Sequence, residues 1–266
     1  MAAAPPLLDL DEVSRIYGDE IKVHALDGVS LQIAVGEFVS IVGPSGSGKS
    51  TMLGLLGLLD LPSLGTLSVD GTSVGDLSDH DRSTLRGDVV GFIFQQFHLI
   101  PHLDARRNVE TALLYRNLSP RERKRRAMEA LDVVGLAPRH EHRPVQMSGG
   151  EQQRCAIARA IVTEPKLLLA DEPTGALDST NAANVMEIFR DLNDGSRAIA
   201  IVTHDPAVAA AADRRISMRD GQIVADEALS GGDAVSAFGG TLGPAEAEAE
   251  LADPAPGATP TSDADA

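Results

Sequence analysis

A glycine-rich stretch from Gly43 to Thr51 carries the residue types that bind phosphate groups. It reads GPSGSGKST and matches the pattern G-x-x-x-x-G-K-[ST], in which successive backbone N–H groups surround phosphate oxygens. The lysine of such a loop reaches the β- and γ-phosphates, and the hydroxyl that follows it ligates Mg²⁺. Nucleotide contacts are therefore predicted for Gly43, Pro44, Ser45, Gly46, Ser47, Gly48, Lys49, Ser50 and Thr51.

The flanks of this stretch favour a phosphate site over an ordinary glycine-rich turn. The apolar run from Phe38 to Val42 predicts a buried parallel strand, and the leucine-rich run from Thr51 to Leu59 predicts a helix. A helix that begins directly after such a turn adds the partial positive charge of its N-terminus to the N–H groups. Strand, turn and helix together predict a nucleotide-binding site.

Other apolar runs also end in polar residues. The run from Val89 to Phe94 is followed by Gln95 and Gln96, and the run from Ala198 to Val202 by Thr203-His204-Asp205. Ligands of α/β folds bind at the carboxyl ends of parallel strands. We therefore expect these polar residues to lie near the phosphate site.

The run from Lys166 to Ala170 ends in two adjacent carboxylates, Asp171 and Glu172. Burying such a pair is costly unless a cation compensates the charge, and Mg²⁺ beside a phosphate loop does so. Neighbouring residues of a strand point to opposite sides. One carboxylate can therefore serve the metal while the other faces a water molecule.

Helical patterns dominate the middle of the chain. We predict a helix from Asn108 to Tyr115 and a second from Pro120 to Val134, with Ser119 as its N-cap. A third runs to Val162 and opens with Ser148-Gly149-Gly150-Glu151, in which serine and glutamate form a capping box. A helix N-terminus flanked by glycine also binds anions. These residues leave both uses open.

The order of the elements predicts an α/β fold. Residues Leu7 to Ile33 alternate apolar runs with turn residues, which predicts a small antiparallel sheet before the nucleotide strand. We expect an N-terminal β subdomain with the first part of the core (1–97), a helical segment (98–162) and the remainder of the core (163–228). A disordered tail (229–266) follows, with seven acids and no Lys or Arg.

Composition disfavours several classes of protein. The net charge of −16 disfavours binding to nucleic acid through phosphate neutralisation. No apolar run reaches the ~18–20 residues of a membrane-spanning helix, and the N-terminus lacks the basic region of a secretory signal. The single cysteine, Cys155, excludes an internal disulfide framework, which fits a cytosolic location.

Tyr17 is a candidate contact for a nucleobase. The chain contains two tyrosines and no tryptophan, so few aromatic rings are available for stacking. An exposed aromatic at a strand end can stack on a base, but it can equally belong to the core or its rim. The residues alone leave both interpretations open.

In this order along the chain, the motifs resemble the ATP-binding subunit of an ABC transporter, from about Leu7 to Glu227. GPSGSGKST resembles the Walker A motif, LLLADE the Walker B motif and MSGGEQQR the ABC signature. Met147 and Glu151 stand where that signature usually has Leu and Gln. IFQQ resembles the Q-loop, GALD the D-loop, VTHD the switch histidine and RIYG the aromatic A-loop.

The resemblance implies a P-loop NTPase (RecA-like) core with an N-terminal antiparallel β subdomain and an inserted α-helical subdomain that carries the signature. Two such cassettes stack head to tail and enclose two ATP molecules. The phosphates held by Walker A of one chain then also meet the signature of the other. The residues implied in this cross-dimer contact are Ser148, Gly149, Gly150, Glu151 and the D-loop residue Asp178.

The resemblance also assigns roles at the reaction centre. Glu172 is implied as the residue that orients or deprotonates the attacking water, and His204 as a donor to the γ-phosphate. Lys49 and Gln95, rather than Gln96, complete the implied catalytic set. The implied Mg²⁺ ligands are Ser50 and Gln95, with Asp171 as an indirect one, and Tyr17 is implied to stack on adenine.

Within the family, the wording GFIFQQFHLIP, MSGGEQQRCAIARA and ADEPTGALD is most similar to macrolide exporters, lipoprotein-releasing ATPases and the cell-division ATPase FtsE. This implies an ATP-dependent homodimer on a separate transmembrane permease, docked near His98, Ile100, Pro101 and His102 at the inner face of the cell membrane. An FtsE-like regulatory ATPase and an importer ATPase remain alternatives. A DNA-repair or chromosome-organising ATPase is disfavoured, because no long coiled coil separates Walker A from the signature.

Overall fold

The computed structural model describes residues 6–18 and 21–229. In chain order its strands are β1 (Leu8–Tyr17), β2 (Val23–Ile33), β3 (Phe38–Val42), β4 (Leu64–Val69), β5 (Thr72–Ser73), β6 (Val90–Phe94), β7 (Leu167–Asp171), β8 (Ala198–Val202), β9 (Arg214–Arg219) and β10 (Gln222–Ala228). Its α-helices are α1 (Lys49–Leu56), α2 (Asp79–Val89), α3 (Ala105–Glu110), α4 (Pro120–Val133), α5 (Gly149–Ile161), α6 (Ser179–Leu192) and α7 (Pro206–Ala210). Apart from Leu229, the predicted acidic tail lies outside the described residues. Within the described ranges, no helix has the length and apolar character that crossing a bilayer requires.

The larger sheet has six strands in the order β10-β9-β3-β8-β7-β6. All neighbours are parallel except β10, which returns antiparallel to β9. The central strand β8 is apolar along its whole length because its side chains are buried on both faces of the sheet. One face packs on α1 and the smaller sheet, and the other on α3 to α6.

The smaller sheet is antiparallel, with the order β2-β1-β4-β5, as the turn-rich N-terminal pattern predicts. Leu8, Leu10 and Val13 of β1 point into the core. The strand β4 joins this sheet from beyond α1, where its partner is β1. The small sheet therefore packs on the face of the large sheet that includes Val39 and Ile41 of β3.

The helical part differs from the prediction at its first helix. Instead of one helix from Asn108 to Tyr115, α3 starts at Ala105 and gives way to a 3-10 turn at Thr111. Asp104 caps α3 by accepting a hydrogen bond from the Arg107 N–H, so the helix begins earlier. The other predicted caps are confirmed, since the Ser119 hydroxyl accepts from the Glu122 N–H at the start of α4.

The helix after the phosphate loop also has different bounds. It begins at Lys49 instead of Thr51 and ends at Leu56 instead of Leu59. Gly57 lies so close to the Phe92 ring that a Cβ there would overlap it, and Leu58 has a left-handed backbone with φ +56°. The helix ends because Leu58 takes this left-handed conformation, after which the Leu59 N–H donates to the Gly54 carbonyl at 2.8 Å.

Candidate functional site

Four neighbouring parallel strands bring the predicted site residues to one edge of the sheet. The strands lie in the order β3, β8, β7, β6 and are followed by the phosphate loop, His204, Glu172 and Gln95, respectively. Because the strands are parallel, all four following segments leave the sheet on the same side. The topology thus supports the grouping that the sequence predicts.

The phosphate loop is held closed by its own lysine. Nζ of Lys49 donates to the carbonyl oxygens of Gly43 at 2.7 Å and Pro44 at 2.9 Å. Gly48 has φ +99°, and a Cβ there would lie 2.5 Å from the carbonyl oxygen of Ala25. The Ser47 hydroxyl is buried without a hydrogen-bond partner in the described part of the chain. A buried hydroxyl without a partner, in a loop of closely packed glycines, fits a site that binds phosphate oxygens.

Asp171 at the end of β7 carries an incompletely compensated charge. Burial raises its pKa, the neighbouring Glu172 raises it further, and the Lys49 ammonium opposes both. A divalent cation here would relieve this cost, so Asp171 fits a place beside Mg²⁺. Among the described residues, no three His, Cys, Asp or Glu side chains form a metal cluster. Further ligands would have to come from the Ser50 hydroxyl, the Gln95 amide and phosphate oxygens.

Glu172 lies just beyond β7, which ends at Asp171. The expectation that the two carboxylates point to opposite sides as neighbours on one strand is therefore wrong in its reason. The backbone of Glu172 is left-handed with φ +45°, and its N–H donates to the Val202 carbonyl at 2.8 Å. Its side-chain direction is therefore set by this turn. Oε1 accepts from the His204 N–H at 3.0 Å and lies 2.6 Å from Nδ1 of His204.

Thr203 is a contact of Glu172 to which the sequence assigns no role. Its hydroxyl donates to Oε2 of Glu172 at 3.1 Å and accepts from the Asp205 N–H at 3.0 Å. The carboxylate is thus held on both oxygens. The signal in the sequence is the polar triplet at the end of β8, but nothing local connects it with β7.

Gln95 lies against the segment that follows Glu172. Its Nε2 is 2.7 Å from the place where a Cβ of Gly175 would stand, and the Gly175 N–H donates to the Glu172 carbonyl. This contact involves Gln95 and favours it over Gln96 as the residue of the site.

The signature residues form the predicted capping box at the start of α5. The Ser148 hydroxyl accepts from the Glu151 N–H at 3.2 Å, and Oε2 of Glu151 accepts from the Ser148 N–H at 2.8 Å. Gly150 contacts Asn181, which in turn bonds to Asp178, the N-cap of α6. Among the described residues, no hydrogen bond joins 148–151 to the phosphate loop 43–51. These two halves of the predicted site are not joined within one chain.

Tyr17 lies at the end of β1 with 40% of its surface exposed. It pairs with Val23 of β2, two residues from Ala25, whose carbonyl oxygen touches the phosphate loop. Arg15 and Asp60 contact its side chain, and the sequence indicates no role for either residue. Tyr17 therefore belongs to the pair of strands that reaches the phosphate loop, and its side chain is partly open to solvent.

A strand, a glycine-rich loop and a helix at the edge of a parallel sheet, with a carboxylate two strands away, define a P-loop nucleoside-triphosphatase. A family model described as ABC transporter matches residues 26–175, more than half of the chain. The chain belongs to this family. Its activity is ATP hydrolysis, and the nucleotide that it binds is ATP.

Curated relatives are similar over most of this chain. YknY of Bacillus subtilis (strain 168), an uncharacterized ABC transporter ATP-binding protein, is 49% identical over 220 residues, which are 82% of this chain and 95% of YknY. The macrolide export ATP-binding/permease protein MacB of Hyphomonas neptunium is 47% identical over 223 residues, or 84% of this chain. The chain spans 35% of the length of MacB and of the pyoverdine export protein PvdT of Pseudomonas entomophila.

Solved structures confirm the predicted fold. The post-hydrolysis dimer of the ATP-binding cassette MJ0796 with ADP and Pi has a TM-score of 0.77 and 44% identity. The match covers 84% of this chain and 99% of the cassette. A second dimeric MJ0796 structure has a TM-score of 0.76 and 45% identity. The resemblance to ABC cassettes is confirmed on both sequence and structure.

Proposed function

We propose that this chain dimerises around two ATP molecules and drives a separate transmembrane permease, in an export or lipoprotein- or peptide-releasing system. The observation that carries the proposal is the convergence of Lys49, Asp171, Glu172 and His204 at one edge of the sheet. YknY, covered over nearly its whole length, is named an ATP-binding protein, while MacB and PvdT are named export ATP-binding/permease proteins. The inner face of the cell membrane is then the expected location.

In the proposed site, Lys49 exchanges its bonds with loop carbonyls for bonds with phosphate oxygens. The cost is small because both sets of partners are oxygens, and the loop N–H groups face the same anion. Ser50 and Gln95 would hold Mg²⁺ directly and Asp171 through water. When bound, the metal supplies positive charge that offsets the phosphate oxygens.

Glu172 is the proposed base or orienting group for the attacking water. A carboxylate offers about four acceptor positions. His204 and Thr203 occupy three of them through two N–H groups and one hydroxyl, with Nδ1 as the donor of the His204 ring. One position remains for a water molecule, which the other three contacts would hold in a fixed direction.

The signature helix supplies the second half of the proposed ATP site in a partner copy. The N-terminus of this helix carries the partial positive charge of the helix dipole, and Ser148 and Gly150 lie at that end. Because these residues do not bond to the phosphate loop of the same chain, a second copy is the source that completes the site. The dimeric MJ0796 cassettes, one with ADP and Pi, support this arrangement.

A groove on the helical side is the proposed docking place of the permease. It has a volume of about 620 Å³ and lies between β6 and the helical part, with Phe94, His98 and Arg159 in its lining. Arg159 donates to the carbonyls of Phe97 and His98, which ties the segment after Gln95 to α5. A permease docked there would therefore contact residues one to three positions from Gln95 in the chain, and its movement could shift Gln95.

The test is isolation of the membrane partner. A tagged Glu172→Gln chain with ATP, extracted from membranes in mild detergent, should retain a permease that the Lys49→Ala chain loses. A partner with four predicted spans and a large extracytoplasmic domain supports the exporter branch. Retention of an importer-type permease, or of no membrane protein in either state, contradicts the proposal.

A further inference from the structure

Tyr17 is held by two side chains that the proposed catalytic site does not use. Its hydroxyl donates to Oδ2 of Asp60 at 2.7 Å. The guanidinium of Arg15 lies over the ring, with Cζ 4.5 Å from the centroid. Nε of Arg15 also donates to Oδ2 of Asp60 at 2.8 Å. The three residues form a closed set, in which each side chain contacts the other two.

Asp60 is itself fixed to the helix that carries the phosphate loop. Its Oδ1 accepts from the Leu61 N–H at 2.8 Å, and its own N–H donates to the Gly54 carbonyl of α1 at 3.2 Å. Burial alone would raise the pKa of Asp60, but hydrogen bonds from Tyr17, Leu61 and Arg15 lower it below the ordinary value. The anchor of Tyr17 is therefore an ionised carboxylate in a fixed orientation.

A purely structural role in joining β1 to the end of α1 does not account for this set of contacts. That joint already exists through the backbone, because the Ser63 N–H donates to the Ser14 carbonyl at 2.7 Å. The Ser63 hydroxyl also accepts from the Ile16 N–H at 3.0 Å. The contacts of Arg15 and Asp60 act instead on the ring of Tyr17, whose surface is still 40% exposed.

We infer that Arg15 and Asp60 are positioning residues for the nucleobase. Asp60 fixes the phenol and Arg15 lies over one face of the ring. Tyr17 keeps 40% of its surface exposed, so the other face is the proposed place of adenine. This inference rests on the proposed role of Tyr17 in the ATP site. A ring that is already immobilised loses less conformational freedom when a base stacks on it, so the stack binds more tightly. Arginine, tyrosine and base then form three layers.

This arrangement has a chemical signature that distinguishes it from general support of the fold. Stacking acts on the π-face of any base and not on phosphates. Losing the anchor should therefore weaken binding of ATP and GTP by similar factors. Binding of inorganic tripolyphosphate, which has no base, should not change.

The experiment is calorimetric titration of the full chain with ATP, with GTP and with tripolyphosphate, without Mg²⁺ so that no turnover occurs. We expect Asp60→Ala to weaken ATP binding about fivefold, a part of the stacking contribution. Asp60→Asn keeps an oxygen that can accept from the tyrosine hydroxyl, so it should recover part of this loss. Tyr17→Phe keeps the ring but not the anchored hydroxyl, and it serves if Asp60→Ala does not fold. Glu129→Ala, which breaks an ion pair with Arg125 on α4, is the matched control.

The outcomes separate this inference from the proposed function. A selective loss of ATP and GTP affinity in the Asp60 and Tyr17 variants, with tripolyphosphate binding intact, supports it. An equal loss for tripolyphosphate, or no loss for ATP in a wild-type background that binds ATP normally, overturns the inference alone. A wild-type chain that binds neither ligand overturns the proposed function as well.

Discussion

Glu172 and His204 are joined by a hydrogen bond of 2.6 Å between Oε1 and Nδ1. Because an ionised carboxylate only accepts hydrogen bonds, Nδ1 carries the proton. Nε2 can then donate to a phosphate oxygen only when the ring is positively charged. The hydrogen bond and the negative charge of Glu172 raise the pKa of His204, which favours that charged form. His204 thus orients the Glu172 carboxylate, and Glu172 favours the charged form of His204.

The first prediction concerns this pKa. In Glu172→Gln the side chain keeps its shape but loses its charge, so the pKa of His204 should fall toward the ordinary value of about 6.5. Titration of the histidine ring protons by NMR measures it. The wild-type chain, titrated under the same conditions, is the reference. An unchanged His204 titration would show that the bond in the structure does not persist in solution.

The same variant should separate ATP binding from hydrolysis. Gln cannot take a proton from water, so we expect turnover to fall by about 100-fold or more while ATP affinity is retained. The slow step then leaves ATP trapped, and the chain should form a stable dimer with ATP. Light scattering with and without ATP detects the dimer. Turnover near that of the wild type would identify another base, and His204 would be the first to test.

Thr203→Val removes one of the bonds that orient Glu172 without changing side-chain size. The loss of the donor to Oε2 should lower kcat about tenfold and leave the affinity for ATP unchanged, because the hydroxyl does not face the phosphate loop. Steady-state kinetics and equilibrium binding check both values. The matched control is Thr84→Val, because the Thr84 hydroxyl donates to the carbonyl of His80, an exposed residue on α2. A fall in ATP affinity equal to the fall in kcat would assign Thr203 a binding role instead.

Lys49→Ala should abolish ATP binding in a folded protein. The ammonium is the charge closest to the proposed phosphates and also closes the loop through its two carbonyl bonds. Equilibrium binding of a fluorescent ATP analogue measures the effect. Lys166→Ala removes a lysine that pairs with Asp70 and should bind the analogue normally. Normal affinity in Lys49→Ala would remove the basis of the nucleotide site.

The central strands of the large sheet can be predicted from the sequence because burial on both faces makes them mostly apolar. The predicted strands Phe38 to Val42 and Ala198 to Val202 have the bounds that the structure shows. The polar residues after such runs also identify most of the site, since parallel strands end at one edge. Their individual roles as site residues remain predictions.

The features that the sequence does not indicate depend on tertiary contacts. Tyr17 and Asp60 are far apart in the chain, and they meet only because β1 lies beside the end of α1. The same holds for Gly57, where the Phe92 ring leaves no room for a Cβ. The direction of Glu172 depends on a left-handed turn that no local pattern announces. Predicting any of these three features requires the tertiary structure around it.

The most direct test of the two-chain ATP site uses Ser148→Asp with Ser119→Asp as its control. Both serines are N-caps whose hydroxyls accept from the N–H of a glutamate three residues later, at 3.2 Å in each case. Asp caps helices as well as Ser does, so both variants should keep their melting temperature and bind ATP as monomers. If position 148 meets a γ-phosphate of a partner copy, the carboxylate introduced by Ser148→Asp repels that phosphate in a poorly solvated contact.

The measurements are melting temperature, ATP affinity, ATPase rate and light scattering with ATP, each on both variants. We predict that Ser148→Asp folds and binds ATP but neither dimerises nor hydrolyses it, while Ser119→Asp behaves as the wild type. Normal turnover by a folded Ser148→Asp chain would contradict the two-chain site.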